Sequence, residues 1–293
     1  TGGNGNPFHS LLEVCSISQP KYHANLVDKM TQDVCNKADI AGQGLNARQT
    51  FMLLKENKQT PHIPMPYRCK LHAPQEINVF TDGRWLFPLK QFLGLGGAGV
   101  WWPGRKLRGH PLSEPEIELA YVTEHDKGIR LFTRIGGFAG SSTRTELAAG
   151  IIAISSHGPM HIGSDSKVFV DFANTIVFNS MHNIPMNCNW KLISDGDLWE
   201  HFFLAVKAKG AHAVRLSWIK AHATQDHINA GVTDAIKKLG NDEADATADL
   251  GTAMFGQDLI DAARRFNKKH KEYQWFMLDV AKHLIQSYMI HRE

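Results

Sequence analysis

Residues 143–154 read ThrArgThrGluLeuAlaAlaGlyIleIleAlaIle, a proline-free run in which Leu147, Ile151 and Ile154 share one helical face with alanines between them. Three stretches of strand character precede it. IleAsnValPheThr (77–81) ends at Asp82, GlyGlyAlaGlyValTrpTrp occupies 96–102, and IleArgLeuPheThrArgIle occupies 129–135. After it come HisIleGlySer (161–164), which ends at Asp165, and a helical run that begins LysValPheValAspPheAlaAsn (167–174). A further helix places Trp199, Phe202, Phe203 and Val206 at i, i+3, i+4 and i+7, with Asp197 positioned to cap it. AlaValArgLeuSerTrpIle (213–219) is a strand, and about 241–250 is helical. Strands first meandering and then alternating with helices predict an α/β fold. The expected architecture is a mixed five-stranded sheet, three antiparallel strands plus two parallel, flanked by helices.

The flanking regions differ from this centre. Residues 1–75 form a helical N-terminal extension with helices around 22–37 and 46–57, followed by a linker carrying Pro61, Pro64 and Pro66. The central domain covers 76–251. Residues 252–293 form an amphipathic helical extension with Tyr273, Phe276, Met277, Val280, Leu284 and Tyr288 on one face and Lys268, Lys269, Lys271 and Lys282 among the polar remainder. That helix fits an accessory element packed on its own chain, or a helix for a nucleic acid or partner.

The chain has 293 residues, a hydrophobic fraction of 43% and a formal net charge of +3, which permits a polyanionic partner without demanding one. Cys15, Cys35, Cys69 and Cys188 are scattered without zinc spacing, and no stretch reads as a signal peptide or a membrane span. An intracellular protein in a reducing compartment, nuclear or cytoplasmic, is expected. Because the chain begins at Thr1, it reads as a piece of something longer.

Four carboxylates and a histidine carry the chemistry: Asp82, Glu146, Asp165, His222 and Asp245. Acids scattered in sequence and gathered by a fold suit hard divalent cations, and Mg²⁺ takes a few carboxylates plus substrate phosphate oxygens. A pair of such ions serves phosphoryl transfer. Each residue has an ordinary explanation alone: Asp82–Gly83 as a turn, Glu146 as a helix-dipole partner, Asp165 as a cap, His222 as a surface histidine. His157 and His161, with GlyPro between them, read as surface or turn residues, and Trp101 and Trp102 as part core, part rim.

Taken together, PheThrAspGly, ThrArgThrGluLeuAlaAla, GlySerAspSer, TrpIleLysAlaHisAla and GlyAsnAspGluAlaAspAlaThrAla arrive in the order of type 1 ribonuclease H, which the chain resembles from about 76 to 251. The versions fused to retroelement reverse transcriptases are included in that likeness. The resemblance implies an endonuclease that hydrolyses the RNA strand of RNA–DNA hybrids with two Mg²⁺ ions, Mn²⁺ substituting, and leaves 5′-phosphate and 3′-hydroxyl ends. It implies Asp82, Glu146, Asp165 and Asp245 as metal ligands and His222 as a proton-moving residue on a loop. Asp245 matches the motif acid, leaving Asp242 as a helix-start carboxylate. Ser141, Ser142, Thr143 and Arg144 are implied as phosphate and sugar contacts, or serve as a helix cap; Trp190 and Lys191 lie where the family meets the DNA strand, although Trp190 suits packing as well. A covalently linked upstream polymerase is a further implied partner. A non-catalytic scaffold module with this fold, and a two-metal DNA nuclease or transposase-like enzyme, are the alternatives. Arg84–Leu95, Pro103–Gly128 and Thr224–Gly240 stand out as insertions relative to the family.

Overall fold

The computed structural model describes residues 64–87, 94–136 and 140–292. The helices expected around 22–37 and 46–57 lie outside them. Two compact units are present, Ile63–Gly256 and a second that contains the C-terminal helix. Among the described residues no helix is long and apolar enough to cross a membrane, and Cys69 and Cys188 are free thiols.

The first unit is built on β1 (Val79–Leu86), β2 (Leu95–Pro103), β3 (Tyr121–His125), β4 (Gly128–Ile135), β5 (Met160–Ser164) and β6 (Val214–Trp218). They form one mixed sheet in the order β3-β4-β2-β1-β5-β6. β3, β4, β2 and β1 pair antiparallel, while β5 adds to β1 and β6 to β5 in parallel. The expected strands are thus joined by a sixth. Residues 103–128, anticipated as an enlarged hairpin, fold into helix α1 (Glu114–Leu119) and edge strand β3. The sequence TyrValThrGluHis hides a strand because it is held by backbone pairing to β4 with hardly any side-chain burial. Ser113 and Glu116 form a capping box at the start of α1, and Arg105 grips the fully buried Glu116 through two bonds of 2.6 and 2.9 Å. In the first expected insertion, Arg84–Leu86 and Leu95 are strand residues paired across β1 and β2.

Helices α2 (Ser142–Ser155), α3 (Lys167–Met181) and α4 (Gly196–Lys209) cover one face of the sheet. α2 is buried from Thr145 to Ser155 on every side. Its single apolar stripe was an underestimate, because α2 lies between the sheet and α4, and a helix enclosed on both sides is apolar all round. Beside it Phe169 stacks on Trp199, and Phe202 meets both rings edge to face. α4 begins after Asp195, which sits in a left-handed conformation and makes no side-chain cap bond; Asp197, the expected cap, instead binds Arg144.

A short helix, α5 (Gln225–Asn229), follows β6, and α6 (Ala235–Ala253) then covers the other face of the sheet. Asp234 caps α6 by accepting from the Lys237 N–H at 2.7 Å. The helix therefore starts six residues earlier than 241, and Asp242 is not at its start but on its outer side, paired with Lys238. β2 explains how α6 lies so close. A Cβ on Gly97 would stand 2.1 Å from the Ala248 carbonyl oxygen, and one on Gly99 would stand 2.2 Å from the Ala248 nitrogen. Alternation puts Gly97 and Gly99 under α6, while Ala98 and Val100 point into the core against α2. Trp101 and Trp102 are both buried, without the rim exposure expected of them. His161 is buried in β5, its ring nitrogens bonded to the Gln75 carbonyl oxygen and the Ser217 hydroxyl, so it is not a surface residue; His157 is exposed. The C-terminal helix, α7 (Gln257–Arg292), is continuous through the expected extension.

Candidate active site

β1 alternates strictly. Val79, Thr81 and Gly83 face α2, and Phe80, Asp82 and Arg84 face α6. A Cβ at Gly83 would approach the Glu146 backbone nitrogen to 2.4 Å, so glycine is what allows the start of α2 to bring Glu146 beside Asp82. The parallel pairing of β1 with β5 ends at Thr81↔Ser164, and Asp82 and Asp165 are the next residues of each chain. Asp165 follows the carboxyl end of β5, where an α/β sheet presents its ligands, whereas Asp82 lies within β1, which stays paired with β2 to Leu86 and does not end at Asp82 as expected. Asp82, Glu146 and Asp165 offer one oxygen each within 4.8 Å of one another.

The electrostatics follow from that crowding. Asp82 titrates at about 7, pushed up by burial first and then by the charges of Asp165 and Asp245, while the Gly83 N–H, 2.6 Å from its Oδ1, opposes the shift. Glu146 is held well above the usual carboxylate range by burial and by Asp82 and Asp165, and its Oε2 is buried without a hydrogen-bond partner. Asp165 is raised by burial, against a bond from the Asn241 amide and the nearby charge of His222. A buried carboxylate oxygen left unpaired is costly. Three such acids, all oxygen donors with an open lone pair, fit a hard divalent cation better than they fit each other.

The fourth acid comes from α6. Asp245 acts on both Asp82 and Asp165, whereas Asp242 points to Lys238 and Glu243 to Arg130. Arg84 lies 3.7 Å from Asp245 and 3.2 Å from Asp249. His222 is exposed on the turn between β6 and α5 with φ of 44°, a left-handed conformation that a non-glycine residue rarely adopts. Such strain is held in place by its surroundings and is concentrated at functional sites.

Two residues not singled out from sequence brace Asp165. The Trp218 indole N–H donates to the Asp165 backbone carbonyl at 2.9 Å, and the Asn241 amide lies 3.4 Å from its Oδ2. A signal for Asn241 was present, since it sits four residues before Asp245 on the same helical face.

The candidate nucleic-acid residues are distributed differently. Ser141 caps α2 by accepting from the Arg144 N–H and donates to Asp195, while Arg144 forks onto Asp197 at 2.8 and 2.6 Å and reaches Asp195. Ser142 is exposed and Thr143 half-buried. Trp190 packs on Phe203 with ring centroids 5.7 Å apart, and Lys191 is exposed beside it. Arg144, Trp190 and Lys191 line one groove together with Asp195, Asp197 and Glu200. Acids outnumber cations there, which leaves that groove poorly suited to a phosphate chain.

Residues 112–252 match the family model of RNase H. The fold is that of a type 1 ribonuclease H. Glu146, Asp165, His222 and Asp245 fall inside the matched residues of the domain, and Asp82 reaches them through the pairing of β1 with β5. No curated protein sequence matches the chain. Among solved structures, it is similar to LC9-RNase H1, a type 1 RNase H with the type 2 active-site motif, at 17% identity over 65% of this chain and 74% of that one, TM-score 0.38. The RNase H domain of prototype foamy virus is similar at 17% identity over 60% of this chain and 93% of that one, TM-score 0.39.

Proposed function

We propose that this ribonuclease H domain hydrolyses the RNA strand of RNA–DNA hybrids with two Mg²⁺ ions, Mn²⁺ substituting, and leaves 5′-phosphate and 3′-hydroxyl ends. The observation that carries the reading is the packed triad of Asp82, Glu146 and Asp165, with the unpaired Glu146 Oε2, inside a domain of this family. Asp82, Glu146, Asp165 and Asp245 are the residues that would hold the ions, which supply Lewis-acid polarisation of the phosphodiester and a more acidic water. Asn241 bonds the Asp165 carboxylate and Trp218 holds its backbone carbonyl beside the other two acids. His222, exposed on its turn near Asp165, moves a proton to or from the reacting oxygens. Ser142, Thr143 and Lys191 are available for backbone contacts, whereas Ser141 and Arg144 are engaged with α4 acids.

A labelled RNA–DNA hybrid incubated with the protein and Mg²⁺ tests this. Cleavage confined to the RNA strand, abolished by Asp82→Asn, is expected; an uncut hybrid, or cleavage that survives Asp82→Asn, refutes it.

A further inference from the structure

Phe80, Asp82 and Arg84 share the α6-facing side of β1, so Arg84 stands one step along the same row as the metal-site acid. Its side chain is 43% exposed. Its Nε lies 3.2 Å from the Asp249 carboxylate, and its Nη1 lies 3.7 Å from Asp245, too long for a hydrogen bond.

α6 does not depend on this pairing. Gly97 and Gly99 set the helix directly on β2, Gly240 sits on the Phe80 ring, and ion pairs between half-exposed groups contribute little. What the arrangement does achieve is orientation. Asp249 steadies the Nε edge of the guanidinium and leaves the forked Nη end beside Asp245. A planar, half-exposed fork of N–H donors at this place, with Nη1 too far from Asp245 for a hydrogen bond, matches the oxygens of a phosphate. Elsewhere Arg144, Trp190 and Lys191 line a groove where acids outnumber cations.

We propose that Arg84 is a phosphate-binding residue of this domain: steadied by Asp249, its guanidinium binds a non-bridging oxygen of an RNA–DNA hybrid placed against Asp82 and Asp245. This rests on the hybrid-cleaving function proposed above. The phosphate replaces the long contact to Asp245 and leaves that carboxylate for the metal site.

The test measures hybrid affinity against KCl concentration in the full chain carrying Asp82→Asn, which holds the substrate uncut, with and without Arg84→Gln. Each phosphate neutralised contributes about 0.9 to the slope of log affinity against log salt. Arg84→Gln is expected to reduce the slope by about that amount and to weaken binding several-fold at low salt, with Arg84→Lys restoring the slope. A slope unchanged by Arg84→Gln while the hybrid still binds overturns the role of Arg84 and leaves the proposed function standing. Failure of the Asp82→Asn parent to bind any hybrid overturns both. Stabilisation of the protein by Mn²⁺, compared between the natural chain and the single variant Arg84→Gln, is expected to persist; its loss in Arg84→Gln would assign Arg84 to the acid cluster itself and refute phosphate binding.

Discussion

Replacing Asp82 by asparagine in the absence of divalent metal should stabilise this protein at pH 8. Asp82 is 8% exposed and titrates at about 7 in the fold against an ordinary value of 3.8. Its folded pKa is raised, so the acid is harmless to stability below pH 3.8 and progressively destabilises the fold as pH rises through about 7. At about 1.4 kcal/mol for each pH unit between the two values, the full cost is about 4 kcal/mol at pH 8. Asparagine keeps an acceptor for the Gly83 N–H and offers donors to Glu146 and Asp165 in place of a third charge. Thermal unfolding in EDTA is the assay, run at pH 5 and pH 8 on both proteins. The variant should melt higher at pH 8 by roughly 10 °C, with the gap mostly closed at pH 5. With saturating Mn²⁺ the order should reverse, because a ligand that binds only the folded state raises stability and the variant has lost a ligand. A variant less stable than the parent in EDTA at pH 8, or equal gains from Mn²⁺ in the two proteins, would refute the electrostatic account of the site.

Gly99→Val should destabilise the domain by about 3 kcal/mol or more and reduce hybrid cleavage, since the new side chain meets the α6 backbone at 2.2 Å; urea unfolding and the cleavage assay read the two effects. Glu116→Gln removes one partner of the buried pair with Arg105 and should cost about 3–5 kcal/mol by urea unfolding at pH 7, with the Mn²⁺-dependent gain retained. His222→Ala should lower turnover of the hybrid about 100-fold while leaving Mn²⁺ stabilisation in place, because the imidazole is assigned to proton movement and not to the oxygen ligand set.

The order of elements was legible because strand and helix periods differ. The strand leading to Asp165, the helix carrying Glu146 and the β6 segment before His222 are where their patterns put them, whereas the strand expected to end at Asp82 runs on to Leu86 because it stays paired with β2. What escaped had weak or misleading side-chain signals. β3 is an exposed, polar edge strand whose stability comes from its pairing with β4. The first turn of α6 is largely exposed, with Ile236 turned to solvent, and needed the Asp234 cap to reveal it. Asp197 looked like a cap because it precedes an apolar helical face, but the buried side of Arg144 was a stronger partner. His161 looked like a turn residue beside GlyPro, yet strand β5 begins one residue before it.

By itself the sequence determined which residue types were available: four acids and a histidine in fixed order, an apolar α2, and a glycine-rich β2. Only the tertiary structure decided which of them meet. Glycines at 83, 97 and 99 allow two helices to approach the sheet from opposite faces, and the β1–β5 register then sets Asp82 against Asp165. That convergence, and the burial that comes with it, lifts Asp82 to about 7 and leaves Glu146 Oε2 without a partner. Proximity and desolvation are properties of the packed whole, because they depend on residues far apart in the chain excluding water together.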